Sequence, residues 1–562
     1  MLEPSDSPSA IPSEPGQGPL DVVIVGAGFA GLYAVHKFRG LGFSLRCFEA
    51  APEPGGTWWW NSYPGARCDV ESLDYCYGFD VELMNDWKWS ERFAAQPEIL
   101  TYVNHVVDRY DLARDITFNA RVVSAVWDEA ANLWTVSTSN GEKVRARFVV
   151  TAAGCLSLPN RPNFEGLSDF KGQWYQTSNW PKTPVDLEGK RVAVIGTGSS
   201  GIQTIPEIAK LAGHLTVLQR TPQYTLPAVN RPMIPEYEAK VRADYMAHRK
   251  ACLQNKAGTP RLVKWDSAFD LNEEERNAAY EEKWKAGGAG GVSAIFADTL
   301  VNKAANDTAA EFVRRKIREI VKDPEVAESL TPYDYPIATK RICIDTDFYA
   351  TFNRPNVRLV DLRKAPIDRI TENGIMVGGE EIPLDVIVFA TGFDAVTGPL
   401  LAMNIQGEGG RTLNEAWEDG PHTYLGLMVA GFPNLLTVTG PGSPSVLINV
   451  IVAIEQHVNW IADALAHMRL HGLTRIAADP AAQDAWGEEV RNVANQTLFP
   501  LAKSWYNGDN IAGKPRVFLA YVGGYPAYAE RCDEIARAGY TGFHLSAGGG
   551  TPNQPARKAE VA

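Results

Sequence analysis

No Cys-x2-Cys or Cys-x4-Cys pair occurs among the seven cysteines, which excludes a redox dithiol and a zinc ribbon. An odd number of widely spaced thiols gives no disulfide framework and reads as a reduced, cytoplasmic protein. No apolar stretch reaches the roughly 18 residues of a membrane span. Positive charge is in deficit: 54 Lys and Arg stand against 67 Asp and Glu, a net −13. That balance argues against a nucleic-acid or anionic-membrane surface. The first nineteen residues contain no Lys or Arg and no apolar centre, so they lack the form of a secretory signal. Their Pro, Ser and Gly content predicts a disordered tail over 1–19, and Gly548-Gly549-Gly550 predicts another over 547–562.

What is present is enough chain for two or three domains, 562 residues at 45% hydrophobic. Two glycine-rich turns organise it. Gly26-Ala27-Gly28-Phe29-Ala30-Gly31 follows the apolar run Val22–Val25, and the next strand, Leu45–Glu49, closes on an acid, Glu49. Gly196-Thr197-Gly198-Ser199-Ser200-Gly201 follows Val192–Ile195, and its next strand closes on a base, Arg220. Each has the strand–turn–helix setting of a dinucleotide site. An acid at that strand end accepts ribose hydroxyls and repels a 2′-phosphate, whereas an arginine forks onto the phosphate. The chain therefore reads as built for two nucleotides, the second NADPH, and the pair suggests a flavin reduced by a nicotinamide.

The expected fold is α/β, with two Rossmann-like dinucleotide-binding domains and a helical insertion in the second. The expected boundaries are 20–165 with 385–546 for the FAD domain, 166–227 with 336–384 for the NADP domain, and 228–335 for the insertion. Asn140-Gly141 between two alternating runs predicts a hairpin. Val313, Ile317, Ile320 and Val321 predict one helix face, with Asp323-Pro324 as its stop. Ile451, Ile454, Val458, Ile461, Leu465 and Met468 predict a long helix with a buried stripe, closed by Gly472.

Three further segments carry the chemistry. Residues 55–69 hold Gly56, Thr57, three adjacent tryptophans (Trp58, Trp59, Trp60), Tyr63-Pro64-Gly65 and Asp69; so many aromatics need a flat partner or a domain contact to cover them. Residues 170–181 read Phe170-x-Gly172-x3-Gln176-x3-Trp180-Pro181. Asp385 leads into Thr391-Gly392-Phe393-Asp394. With these motifs the chain resembles the single-chain, FAD-containing, NADPH-dependent Baeyer–Villiger monooxygenases, over roughly residues 20–545. One position departs: Gln176 stands where the family fingerprint has histidine, and an amide hydrogen-bonds but carries no proton or charge.

The resemblance implies a reaction and a set of roles. NADPH reduces FAD, O2 forms a C4a-peroxyflavin, and one oxygen is inserted beside a ketone carbonyl to give an ester or lactone. Arg341 would be the active-site cation and Asp69 its holder. Lys340, Thr221 and Arg220 would meet the NADPH 2′-phosphate, and Trp505 would close over the nicotinamide side. Tyr75, Val122 and Gln203 complete the cofactor-binding set. The loop Ser445–Val450 would line the substrate pocket, and its apolar side chains suggest a small apolar ketone. No metal, nucleic acid or membrane partner is expected, and a monomer or small homo-oligomer is. The alternatives are a related flavin enzyme oxygenating nitrogen or sulfur, and a non-catalytic flavin-binding protein, which only Gln176 favours. A flavin disulfide reductase lacks its cysteine pair here.

Overall fold

The computed structural model describes residues 18–260, 263–288 and 290–547; the expected tails, apart from residues 18, 19 and 547, lie outside them. Two sheets form the frame of a mixed α/β fold. In the first, the strands run in the order Asn404–Gln406, Val122–Asp128, Leu133–Thr138, Lys143–Thr151, Leu20–Val25, Leu45–Phe48, Ile116–Thr117, and Leu435–Thr437 pairs with the end of Lys143–Thr151. Leu20–Val25 is parallel to both neighbours. The predicted hairpin joins Leu133–Thr138 to Lys143–Thr151, with Gly141 at φ +89° in its turn.

The second sheet is wholly parallel, in the order Val357–Asp361, His214–Gln219, Arg191–Ile195, Val386–Phe389, Gln173–Gln176. Its centre is apolar on both faces, as a strand covered on both sides must be. Helix Ser199–Leu211 and helix Lys303–Ile320 cover one face, and the small sheet Ile367–Ile370, Gly374–Val377, Glu380–Pro383 covers the other. Here one boundary changes. The strand beginning after Asp385 was expected with the first sheet, yet Val386–Phe389 lies between Arg191–Ile195 and Gln173–Gln176 in the second. Ile387 and Phe389 bury themselves against Ala193, Ile195 and Leu218, which only that sheet offers.

The segment 228–335 is helical but does not form a body of its own. Val241 and Tyr245, from helices Pro235–Ala243 and Tyr245–Leu253, join the core of the first sheet. Ala268, Tyr280 and Phe312, farther along, join the core of the second. The segment therefore bridges the two. Asp323-Pro324 does not simply stop a helix: Asp323 accepts from Glu325 N at 2.9 Å and Pro324 opens the next helix, Pro324–Leu330. Helix Val450–Leu470 buries its whole predicted stripe against helix Phe29–Gly40, and Gly472 follows at φ +67°.

Candidate active site

Two helices begin directly at the glycine turns. Helix Phe29–Gly40 starts from Gly28 and helix Ser199–Leu211 from Gly198, and neither start carries a side-chain cap. Their first N–H groups are therefore free to receive an anion, with the helix dipole behind them. A Cβ on Gly31 would lie 1.7 Å from Gly26 O, and one on Gly201 would lie 2.2 Å from Gly196 O, so both helices pack too close to their strands for any side chain. A Cβ on Gly198 would meet nothing within 4 Å. Each glycine turn and the uncapped helix start behind it form a cradle that can receive an anion.

Around the first cradle, Ala27 N and Ala51 N donate to the two carboxylate oxygens of buried Glu49, at 2.6 and 2.8 Å. The carboxylate thus ties the glycine turn to its strand. Ala120 N donates to Glu49 O, which brings Val122 to the same end of the sheet. Phe29 and Trp58 both pack on Tyr75, at ring distances of 5.5 and 5.8 Å, and Trp58 Nε1 donates to Tyr75 Oη. Ala30 is buried behind Phe29, and Thr57 is exposed at the start of the short helix Thr57–Trp60. Trp59 is covered by Lys182, whose ammonium sits 4.8 Å from its ring centre and donates to Trp59 O and Ser62 Oγ. Trp60 remains half-buried. No feature of the sequence pointed to Lys182; only the fold carries it from the linker to the tryptophans.

The tryptophan loop then docks on the second cradle. Tyr63 Oη donates to Gln203 Oε1 at 2.8 Å, and Gln203 Nε2 donates to Arg67 O at 2.9 Å. Gln203, expected at the cofactor, thus engages the loop with both ends of its amide. Cys343 Sγ lies 3.0 Å from Ser199 Oγ, and Thr197 Oγ1 donates to Thr221 O. Arg220 is exposed beside half-buried Lys340. Burial and then the Arg220 charge push the Lys340 ammonium below its usual range, against the opposing pull of Asp334 and Asp509.

At the meeting of loop and cradle, Arg341 forks onto Asp69, which lies 272 residues away in sequence. Arg341 Nη2 reaches Asp69 Oδ1 and Oδ2 at 2.6 Å, Nε reaches Oδ2 at 3.1 Å, and Nη1 donates to Val446 O at 3.0 Å. The Arg341 side chain is about a third exposed. Asp69 raises the Arg341 pKa, which outweighs burial and keeps the group charged. Burial pushes Tyr506 up to about 12, against the opposing pull of Arg341, so its hydroxyl stays protonated. The Trp505 ring lies tilted against that of Tyr506, 4.2 Å between centres, and packs on the cluster Ala395, Val396 and Leu519.

The turn before Arg341 is strained and held. Ala338 has φ +68°, a conformation costing about 1 kcal/mol without glycine. Buried Asn306, on helix Lys303–Ile320, donates to Ile337 O and accepts from Ile337 N, at 2.9 and 3.0 Å. Asn306 looked like any polar helix residue in the sequence. Gln176 Nε2 donates to Asn160 O, and Asn160 N donates to Gly392 O, so the glutamine at the fingerprint position fastens the two crossings between the sheets.

The description "Flavin-binding monooxygenase-like" matches residues 20–331, and the chain belongs to that family of flavin-binding monooxygenases. It is 42% identical to a Baeyer–Villiger monooxygenase of Pseudooceanicola batsensis, covering 93% of this chain and 95% of the relative. It is also 42% identical to phenazine N-monooxygenase PhzNO1 of Lysobacter antibioticus, covering 94% and 97%. Among solved structures it is similar to an oxidized steroid monooxygenase bound to NADP, with a TM-score of 0.91 and 51% identity over 94% of this chain and all of the other. Among the described residues, no helix is long and apolar enough to cross a membrane.

Proposed function

We propose that the chain is an FAD-dependent, NADPH- and O2-consuming monooxygenase that inserts one oxygen next to a ketone carbonyl, forming an ester or lactone. The observation that carries this reading is the Arg341–Asp69 chelate, set where the tryptophan loop meets the uncapped helix at Gly198. The first sheet and its helices are the FAD domain, built from 20–165 and the chain beyond the turn at 391. The second sheet, with Val386–Phe389, is the NADP domain, and 228–335 bridges them. Both are Rossmann-like.

Gly26, Gly28, Gly31 and the first turn of helix Phe29–Gly40 would hold the FAD pyrophosphate, and the second glycine turn that of NADP. Arg220, Lys340 and Thr221 would take the 2′-phosphate. When bound, the flavin and nicotinamide supply electron transfer and oxygen activation. Arg341 supplies a fixed positive charge for the negative charge that develops on the ketone oxygen. Asp69 holds that guanidinium in one plane and keeps it protonated, and Val446 O sets its depth. Removing one such preorganised charge costs on the order of 100–1000-fold in rate. Tyr506 stays a neutral donor beside it. Trp505, Val396 and Leu519 wall the cleft with apolar surface and exclude water, which suits an apolar ketone.

A second reading, oxygen transfer to an aromatic ring nitrogen, is favoured by the 42% identity to the phenazine enzyme. One experiment separates them. The purified flavoprotein is given NADPH, O2 and a panel of cyclic, linear and aryl ketones together with phenazine, and the products are identified by mass. Esters or lactones are expected, and Arg341→Ala is expected to keep its flavin while losing them 100–1000-fold. N-oxide with no ester from any ketone selects the second reading, and a protein that takes up no flavin ends both.

A further inference from the structure

Away from Arg341, three side chains of different chemistry converge. Asp74 follows the tryptophan loop, and His248 and Cys252 stand four residues apart on helix Tyr245–Leu253 and so share a face. One ligand atom from each lies within 4.8 Å of the others. We infer that Asp74, His248 and Cys252 form a binding site for a thiophilic divalent cation of the zinc class.

The geometry is close to that of a chelate. Cys252 Sγ lies 3.7 Å from Asp74 Oδ1. Ligands at the usual zinc–sulfur and zinc–oxygen distances on one tetrahedral ion stand about 3.5 Å apart. His248 Nε2 lies 2.6 Å from the same oxygen, so the imidazole has to swing back by about 0.7 Å to share an ion with it. Carboxylate, imidazole and thiolate together select zinc or cadmium over magnesium or calcium, which take oxygen. The fourth position is left to water.

The surroundings suit a cation. Asp74 and Cys252 are buried, while His248 is partly open. Arg249, next to His248, is paired with Glu455. Metal binding at Cys252 would release its thiol proton to solvent. A surface cavity of about 330 Å³, whose lining includes Arg92, Arg231, Met233 and Tyr237, reaches Leu73, the residue before Asp74. Tyr237 is close enough to feel the charges of both Asp74 and Cys252.

An ion here would clamp the bridging segment to the first sheet's body. Asp74 O accepts from Asn449 Nδ2 at 2.8 Å, and Asn449 caps helix Val450–Leu470 directly after the loop that reaches Arg341 through Val446. The clamp would therefore reinforce three pieces of chain that already meet through the Asn449–Asp74 bond, through His248–Asp74 and through Arg249–Glu455.

The flavin-loaded protein is dialysed against a chelator, equilibrated with a small excess of Cd2+ or Zn2+, desalted and measured for metal. One ion per chain is expected to remain, with a rise in Tm. Cys252→Ser and His248→Gln are each expected to cut the retained metal at least tenfold and abolish the Tm rise, with flavin content unchanged. Should Cys252→Ser lose its flavin, His248→Gln carries the same test. Wild-type protein that retains no ion, or a flavin-loaded variant that loses less than tenfold, overturns the inference.

Discussion

Single residues here are set by their electrostatic surroundings, and His457 shows it most clearly. It is fully buried, its Nδ1 accepts from Thr439 N at 2.8 Å, and its Nε2 faces Tyr528 Oη at 2.8 Å. A backbone donor on Nδ1 leaves Nε2 to carry the proton, so the ring is neutral. Burial lowers its pKa from 6.5 to about 3. The unfolded chain therefore binds a proton below about pH 6.5 that the folded chain refuses. Stability from this site is full above pH 6.5 and is lost as pH falls toward 3, by up to about 1.4 kcal/mol per pH unit. Denaturant melts of His457→Gln between pH 7 and 4 should show a flatter acid decline than wild type; parallel declines would mean that other groups set it. At Arg220 the expectation is kinetic. Arg220→Ala should raise KM for NADPH about tenfold or more and leave KM for NADH nearly unchanged, since only the 2′-phosphate needs the fork. Equal shifts for the two coenzymes would remove Arg220 from that role.

Elements place these residues, and they do it by fixing short stretches of backbone. The turn Tyr335–Arg341 is held by Asn306 through two hydrogen bonds to Ile337 while Ala338 sits in a left-handed conformation. Asn306→Ala removes the partner of three buried backbone groups, Thr299 O, Ile337 O and Ile337 N, which costs about 1–3 kcal/mol for each left unpaired. Thermal melts should show that loss, and turnover should fall while flavin content does not, because the displaced element carries Arg341. Unchanged turnover at reduced stability would make Asn306 a packing residue only. At this scale much was legible in the sequence. Both strand–turn–helix units, the hairpin and the long helix Val450–Leu470 have strong local periodicity, and such patterns survive tertiary context. The strand Val386–Phe389 was legible as a strand but not as a member of the second sheet. Its side chains are apolar and would fit the interior of either sheet, so partner choice is a long-range matter that its own residues do not encode.

At the scale of the whole molecule, the site exists because two bodies meet. Tyr63 and Arg67 reach Gln203, Lys182 covers Trp59, and Asp69 reaches Arg341. Loosening this seam should uncouple electron consumption from product formation, since the cleft then admits water. Tyr63→Phe removes the bond to Gln203 without emptying the space. It should raise NADPH oxidation in the absence of substrate several-fold and lower the ester formed per NADPH. A coupling ratio equal to wild type would show that the seam holds by packing alone.

By itself, the sequence determined where the two glycine turns lie and which strand ends on an acid and which on a base, and its likeness to a known pattern grouped a tryptophan loop, an arginine and an aspartate. These properties lie in a few adjacent residues, or in their likeness to a known pattern, and so need no fold to be seen. The tertiary structure alone decided that Asp69 forks onto Arg341, that Lys182 shields Trp59, that Asn306 steadies the turn, and that the helices after residue 228 divide between two cores. Each of these joins groups tens to hundreds of residues apart, and such contacts are fixed by the packing of the folded chain rather than by local sequence.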